Sequence, residues 1–417
     1  MSMIYLDHAS ATPLSKKAKA AMEPFFADDF FNPSAPYLPA KRVREAYENA
    51  KSEIAHTIGA KANDLVMTSG ATEATNLAFS VLNASTRGPD ALYRPSTPAR
   101  LSARGAAGPL NAPPLVLVLE TEHASVLRTA ENYGAGKIKV KPGSGLIDLD
   151  NLKSKITKDT VLISVAAANN ELGTIQPLAE IAEIIKSERQ ARLKNKNPRP
   201  LYLHSDASAA LGLLNINVAR MKTDLLTLSS AKIYGPKGVG ALYVAHGVKL
   251  KPLISGGGQE RNLRSGTENV PGAIGFAAAM KETKDHLNSA AKTFENLKTI
   301  FKNSLTDELN GEIEPVFLGP KKRQLANFCP VSFPGLDAER LVYKLEEKEV
   351  YLSTGAACAA SKGEKSHVLK AAGLTDKEIA GSLRISFGRL NDEAKVKTAA
   401  NLIADAVKEE LERLKNA

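Results

Sequence analysis

Short apolar runs alternating with amphipathic stretches predict an α/β fold, a mainly parallel sheet covered by helices on both faces, joined to a smaller α+β domain. Three observations carry this. The runs Leu65–Thr68, Leu225–Ser229 and Gly240–Val244 are apolar nearly throughout instead of alternating, as strands buried on both faces are. Stretches with apolar residues at helical spacing separate many of the runs. After about Gly275 the pattern changes to one long amphipathic helix over 277–305, then shorter strands and two final helices. The 417 residues suffice for two domains with sizeable cores. The expected division is 16–262 for the larger domain, and 1–15 with 263–417 for the smaller one.

Taken in order, 16–26 and 40–58 have helical spacing with Pro or Gly breakers at their ends. A strand at Leu65–Thr68 precedes a helix from about Thr72. A strand over 115–120 precedes a helix from about Ser125, and a run over 161–167 precedes a helix from Leu178. Strands follow over 201–205, Leu225–Ser229 and Gly240–Val244. Two segments interrupt this order. Residues 83–115 hold six of the 22 prolines and four arginines against one aspartate. Residues 187–200 carry five basic side chains against Glu188.

Those two basic insertions supply seven of the formal net charge of +10. They contain a single aromatic, Tyr93, whereas a nucleic-acid surface sets basic residues along a folded face with aromatics for stacking. The charge is therefore expected on solvated loops, with an acidic docking partner as the competing reading and no direct nucleic-acid binding. The two cysteines, Cys329 and Cys358, are too few for a disulfide framework, and no His and Cys set has zinc spacing, so no metal is expected. No run approaches a membrane span and the first residues lack signal-peptide order; the expected location is the cytoplasm.

In open α/β sheets ligands bind beyond the carboxyl ends of the strands, so the polar residues following each apolar run are the candidates. In Met67-Thr-Ser-Gly-Ala-Thr-Glu73, Gly70 permits a tight turn, and the amides of Ala71 and Thr72 open a helix. Such an end suits a phosphate, although Thr72 and Glu73 could equally cap the helix. His123 follows the 115–120 run, where a structural role competes with a catalytic one. Asp206 ends the next run but one, and its carboxylate there needs a cationic partner. Lys232 follows Leu225–Ser229, where partial desolvation would lower its pKa as a Schiff-base lysine requires. Together these are the parts of a pyridoxal-phosphate site. Cys358 lies in a small-residue loop and is expected to be an accessible thiol; Cys329, alternating with apolar residues, is expected to be buried.

The residues resemble the cysteine desulfurases, in the class V aminotransferase branch of fold-type I pyridoxal-phosphate enzymes. The runs YLDHASATP, TSGATEATN, ETEHASV, NNELGTIQP, SSAKIYGPKGVGALYV, SGGGQERNLRSGTENVPG and LSTGAACAAS carry the likeness over nearly the whole chain. The resemblance implies pyridoxal 5′-phosphate, held covalently by Lys232, with Asp206 on the pyridinium nitrogen and His123 stacked on the ring. It implies Ala71, Thr72 and Ser229 on the phosphate, with Thr267 reaching it across a homodimer interface. Asn170 and Arg384 would bind the substrate carboxylate, Arg384 as a bidentate clamp. Cys358 would take sulfur from L-cysteine as a persulfide, release alanine, and pass the sulfur to an acceptor, an iron–sulfur scaffold or a tRNA-thiolation protein.

Two positions depart from the family pattern. Ala209 stands where the family has Gln, and Ala231 where it has His. Each loss removes a hydrogen bond to a charged group, about 1.5–3 kcal/mol if nothing replaces it. Two alternatives therefore stand beside the desulfurase: a selenocysteine lyase or cysteine sulfinate desulfinase, and a cofactor-impaired, non-catalytic sulfur-trafficking protein.

Overall fold

The computed structural model describes residues 3–85, 115–355 and 365–416. Cys358 and most of the 83–115 insertion lie outside the described residues. After a short first strand, β1 (Ile4–Tyr5), the next seven strands form the large sheet: β2 (Leu65–Thr68), β3 (Val116–Leu119), β4 (Gly136–Ile138), β5 (Leu162–Ser164), β6 (Tyr202–Asp206), β7 (Leu225–Ser229) and β8 (Gly240–Val244). Their order is β2-β8-β7-β6-β5-β3-β4. The pairs from β7 through β4 are parallel. Strand β8 runs antiparallel to both neighbours. The link from β7 to β8, residues 230–239, is shorter than the dozen or so residues a parallel crossover needs.

The strands are apolar on both faces because both faces are covered. Met67, Leu117, Leu119, Ile163, Leu203 and Leu226 pack into one buried cluster. The alternate positions Val66, Val116, Val118, Leu162, Leu225 and Leu242 pack into another. Of the run 161–167 only Leu162–Ser164 is regular strand, although the amides of Val165 and Ala167 still donate to the His204 and Asp206 carbonyls of β6.

The smaller sheet joins β9 (Val316–Phe317), β10 (Val331–Ser332), β12 (Ser353–Thr354) and β13 (Ser382–Arg384), antiparallel in the order β12-β13-β10-β9. Between β10 and β12, β11 (Val350–Tyr351) pairs in parallel with β1, which ties the N-terminus to this end of the molecule. The long helix begins earlier and ends later than its pattern suggests, over Val270–Leu309. Its first turns place Ala273, Phe276 and Met280 in the large-sheet core, and its last turns place Phe301 and Leu305 against the small sheet.

The 187–200 segment is a solvated loop only in its second half. Its first half completes the helix Leu178–Lys194. Arg192 is 4% exposed and donates to Glu188 and to the carbonyls of Thr157, Arg199 and Pro200. Arg189 pairs with Asp224 at 2.5 Å. These two charges fasten the helix to the start of the neighbouring strands and are not free for an acidic partner.

Candidate active site

A cavity of about 410 Å³ opens at the carboxyl ends of β2, β6 and β7. Of the residues expected at a cofactor site, Ala71, Thr72, His123, Asp206, Ser229 and Lys232 all line it. So do the two expected substrate ligands, Asn170 and Arg384. Thr267 does not: it lines an adjoining cavity of about 210 Å³ with Arg264 and Glu268. Cys358 falls outside the described residues.

The turn after β2 makes the phosphate end. Gly70 has φ +146°, a conformation that favours glycine, and it precedes the helix Ala71–Phe79 without giving it a side-chain cap. Thr72 therefore does not cap this helix, and Glu73 instead accepts from the Ser69 amide at 2.7 Å while bonded to Arg264 at 3.0 Å. The first helical amides are left facing the cavity, where the helix dipole favours an anion. Strand β8 closes the turn from behind. A Cβ on Gly240 would lie 2.7 Å from the Gly70 carbonyl carbon and 2.7 Å from the Leu228 oxygen, so only glycine lets the two backbones meet.

The middle of the cavity is made by strand ends. Asp206 closes β6, is 8% exposed and accepts from the Ser208 amide at 2.8 Å. Among the described residues it makes no ion pair. Lys232 closes the single 3₁₀ turn after β7 and donates to the carbonyls of Ala9 at 2.8 Å and Ser10 at 2.5 Å. The N-terminal segment thus lies directly over the lysine.

His123 caps the helix Ala124–Glu131, its Nδ1 accepting from the Ser125 amide at 3.1 Å. In the neutral ring the proton therefore sits on Nε2. The ring opens onto the cavity but is enclosed by protein, and this desolvation lowers its basicity; Asp206 opposes the effect, while Lys232, His367 and Arg384 add to it.

Arg384, at the end of β13, is 5% exposed. Its Nη2 donates to Asp7 Oδ1 at 2.9 Å and Ser10 Oγ at 2.5 Å, and its Nη1 to the Asn170 carbonyl at 3.4 Å. Among the described residues Nε has no partner. The guanidinium is already held in place, so a substrate carboxylate would meet a fork of fixed orientation.

Several supporting residues escaped the motif reading. Asp7 and Ser10 orient Arg384, and their signal was present in the run Tyr5-Leu-Asp-His-Ala-Ser10. Glu122 is fully buried and accepts from the Ala166 amide at 2.7 Å, joining the loops after β3 and β5. Burial pushes its carboxyl well above the usual range; the bond from the Ala166 amide opposes this and the nearby Asp206 charge adds to it. Glu171 accepts from Ser366 Oγ at 2.5 Å. Burial raises its pKa to about 7 against the opposing effects of Ser366 and Arg384. Cys329 is 1% exposed, and burial pushes its thiol up to about 12, which excludes a thiolate there.

The whole-chain comparison decides the family. The model of the class-V aminotransferases matches residues 4–93 and 99–398. The chain belongs to this family. Among curated relatives, a cysteine desulfurase of Archaeoglobus fulgidus is 37% identical over 400 residues, 94% of each chain. A mitosomal cysteine desulfurase of Encephalitozoon cuniculi is 34% identical, covering 97% of this chain and 86% of its own. Within the class-V aminotransferases the chain thus sits with the cysteine desulfurases. Among solved structures, a NifS-like protein superposes with a TM-score of 0.83 at 28% identity, over 98% of this chain and 100% of that one. A protein called SspA, solved in complex with cysteine, superposes with a TM-score of 0.70 at 30% identity, over 92% and 98%.

Proposed function

We propose that this class-V aminotransferase is a pyridoxal 5′-phosphate-dependent cysteine desulfurase that releases alanine from L-cysteine and keeps the sulfur on Cys358. The observation that carries this is the one cavity in which Asp206 lacks a cation, Lys232 points across the strand ends and an uncapped helix start faces inward. Those three features fit the group: an acid for the pyridinium, an amine for the aldehyde and amides for the phosphate. Ser229 adds a hydroxyl on the phosphate side. When bound, pyridoxal phosphate supplies the electron sink that labilises bonds at the substrate carbons.

The chain's own residues do the rest. Arg384, braced by Asp7, binds the cysteine carboxylate beside Asn170. Lys232 would move the proton at the substrate Cα, and His123, lining the same cavity, would stack on the cofactor ring and carry a second proton through Nε2. The Cys358 thiolate attacks the substrate sulfur. An S–S bond forms and the C–S bond breaks, its electron pair staying with carbon, which takes a proton and leaves as alanine. The persulfide then serves an acceptor protein, for iron–sulfur assembly or tRNA thiolation, as the run Leu352-Ser-Thr-Gly-Ala-Ala-Cys358 suggests by its resemblance.

The position of Thr267 outside the cofactor cavity supports a homodimer in which this loop serves the partner subunit. We place the Cys358 loop and Arg384 in a smaller unit, 1–15 with 263–417, and the cofactor in 16–262. The test is spectroscopic. The purified protein with pyridoxal phosphate shows a visible absorbance band that Lys232→Ala loses; a wild-type protein with no such band contradicts the proposal.

A further inference from the structure

Behind the cofactor cavity lies a second chamber of about 60 Å³, which shares Ala9, Ser208, Ala209 and Lys232 with it as a common wall. Three of the side chains lining this chamber carry buried polar atoms with no partner among the described residues: His8 Nε2, Asn327 Oδ1 and Ser208 Oγ. Orphaned polar groups of this kind destabilise the fold unless something satisfies them. Their chemistry states what fills them. His8 Nδ1 faces the Ser386 carbonyl at 3.3 Å and must donate to it, and burial depresses the His8 pKa to about 4, so Nε2 is a bare acceptor at neutral pH. Asn327 Nδ2 donates to the Phe387 carbonyl at 3.0 Å, which leaves Oδ1 as a second acceptor. The Ser208 hydroxyl can donate. Two acceptors and one donor match a molecule with two donors and a lone pair.

We propose that this chamber is a solvent site, its water donating to His8 Nε2 and Asn327 Oδ1 and accepting from Ser208, and that it connects bulk solvent to Lys232 by a route separate from the cofactor cavity. A single water needs at least about 10–15 Å³, so a space of about 60 Å³ has room for water. Its outer lining includes the exposed residues His286 and Arg389, so the file of water begins at the surface and ends at the lysine wall. The relevance of the route to catalysis rests on the role proposed for Lys232; the water itself does not.

Two measurements separate these claims. High-resolution crystals should show solvent peaks within hydrogen-bond distance of His8, Asn327 and Ser208, and xenon pressure should leave the chamber unoccupied by the gas, since xenon enters dry apolar cavities. The double variant His8→Leu with Asn327→Leu should lose the peaks and admit xenon. A wild-type chamber that is dry, or that takes xenon, overturns the solvent site whatever the enzyme's activity. For the route, Ala290→Phe, on the long helix lining the chamber, should slow several-fold the relaxation of the cofactor absorbance after a pH jump; an unchanged relaxation overturns the route.

Discussion

Arg384 shows how one charge is prepared for a substrate. Its 2.9 Å bond to Asp7 fixes the fork before any carboxylate arrives. Asp7→Asn should raise KM for cysteine more than it lowers kcat and cost about 1.5–3 kcal/mol in stability, read from the urea midpoint. An unchanged KM would remove Asp7 from substrate positioning. Glu171 makes a pH statement. Its folded pKa, about 7, is above the ordinary carboxylate value, so between these the native state binds the extra proton. Its contribution is complete below the unfolded pKa and fades as pH rises towards 7. Glu171→Gln should flatten that decline in a urea series across this window. His204 has the opposite sign: clasped between Ser164 at 2.8 Å and Thr227 at 3.0 Å, it is depressed to about 4 by burial. There the unfolded chain binds the proton, and stability is lost as pH falls from about 6.5 towards 4.

Among the elements, the junction of β8 with the turn after β2 carries the most constraint. Gly240→Ala would drive a methyl into two backbones, at an overpacking cost of about 1–3 kcal/mol, and would weaken pyridoxal phosphate binding as Gly70 shifts. Equilibrium dialysis with the cofactor checks this; unaltered affinity would mean that the turn does not hold the phosphate. Strand positions such as Leu65–Thr68, Leu225–Ser229 and Gly240–Val244 were legible in the sequence because both faces of the sheet are buried, leaving continuous apolar runs. Lys232, Asp206 and His123 stood out in the sequence for a related reason, as polar residues at or shortly beyond the ends of apolar runs. The last turns of the helix Leu178–Lys194 were not. Arg189 and Arg192 break the apolar periodicity there, and apart from the local Glu188 their partners are the carbonyls of Thr157, Arg199, Pro200 and Leu201 and the Asp224 carboxylate, which no local pattern reveals. The Asp7–Arg384 pair is separated by most of the chain and becomes visible only once β1 is seen beside β11 and the Asp7 backbone bridges Ser386.

Over the whole molecule, the long helix Val270–Leu309 joins the core of the large sheet to that of the small one, so the cofactor wall and Arg384 are braced by a common element. The net charge of +10 no longer suggests a polyanion partner, since part of the 187–200 surplus is spent on internal bonds. The placement of Thr267 predicts that activity depends on association: on dilution, loss of cofactor absorbance should follow loss of dimer in sedimentation, and a fully cofactor-loaded monomer would contradict it. The central claim is sulfur transfer to Cys358, and the most direct measurement is alanine release from L-cysteine by cofactor-loaded wild type and Cys358→Ala. The account predicts steady alanine from the wild type and loss of turnover in the variant with its absorbance band retained; full alanine release by Cys358→Ala would contradict it.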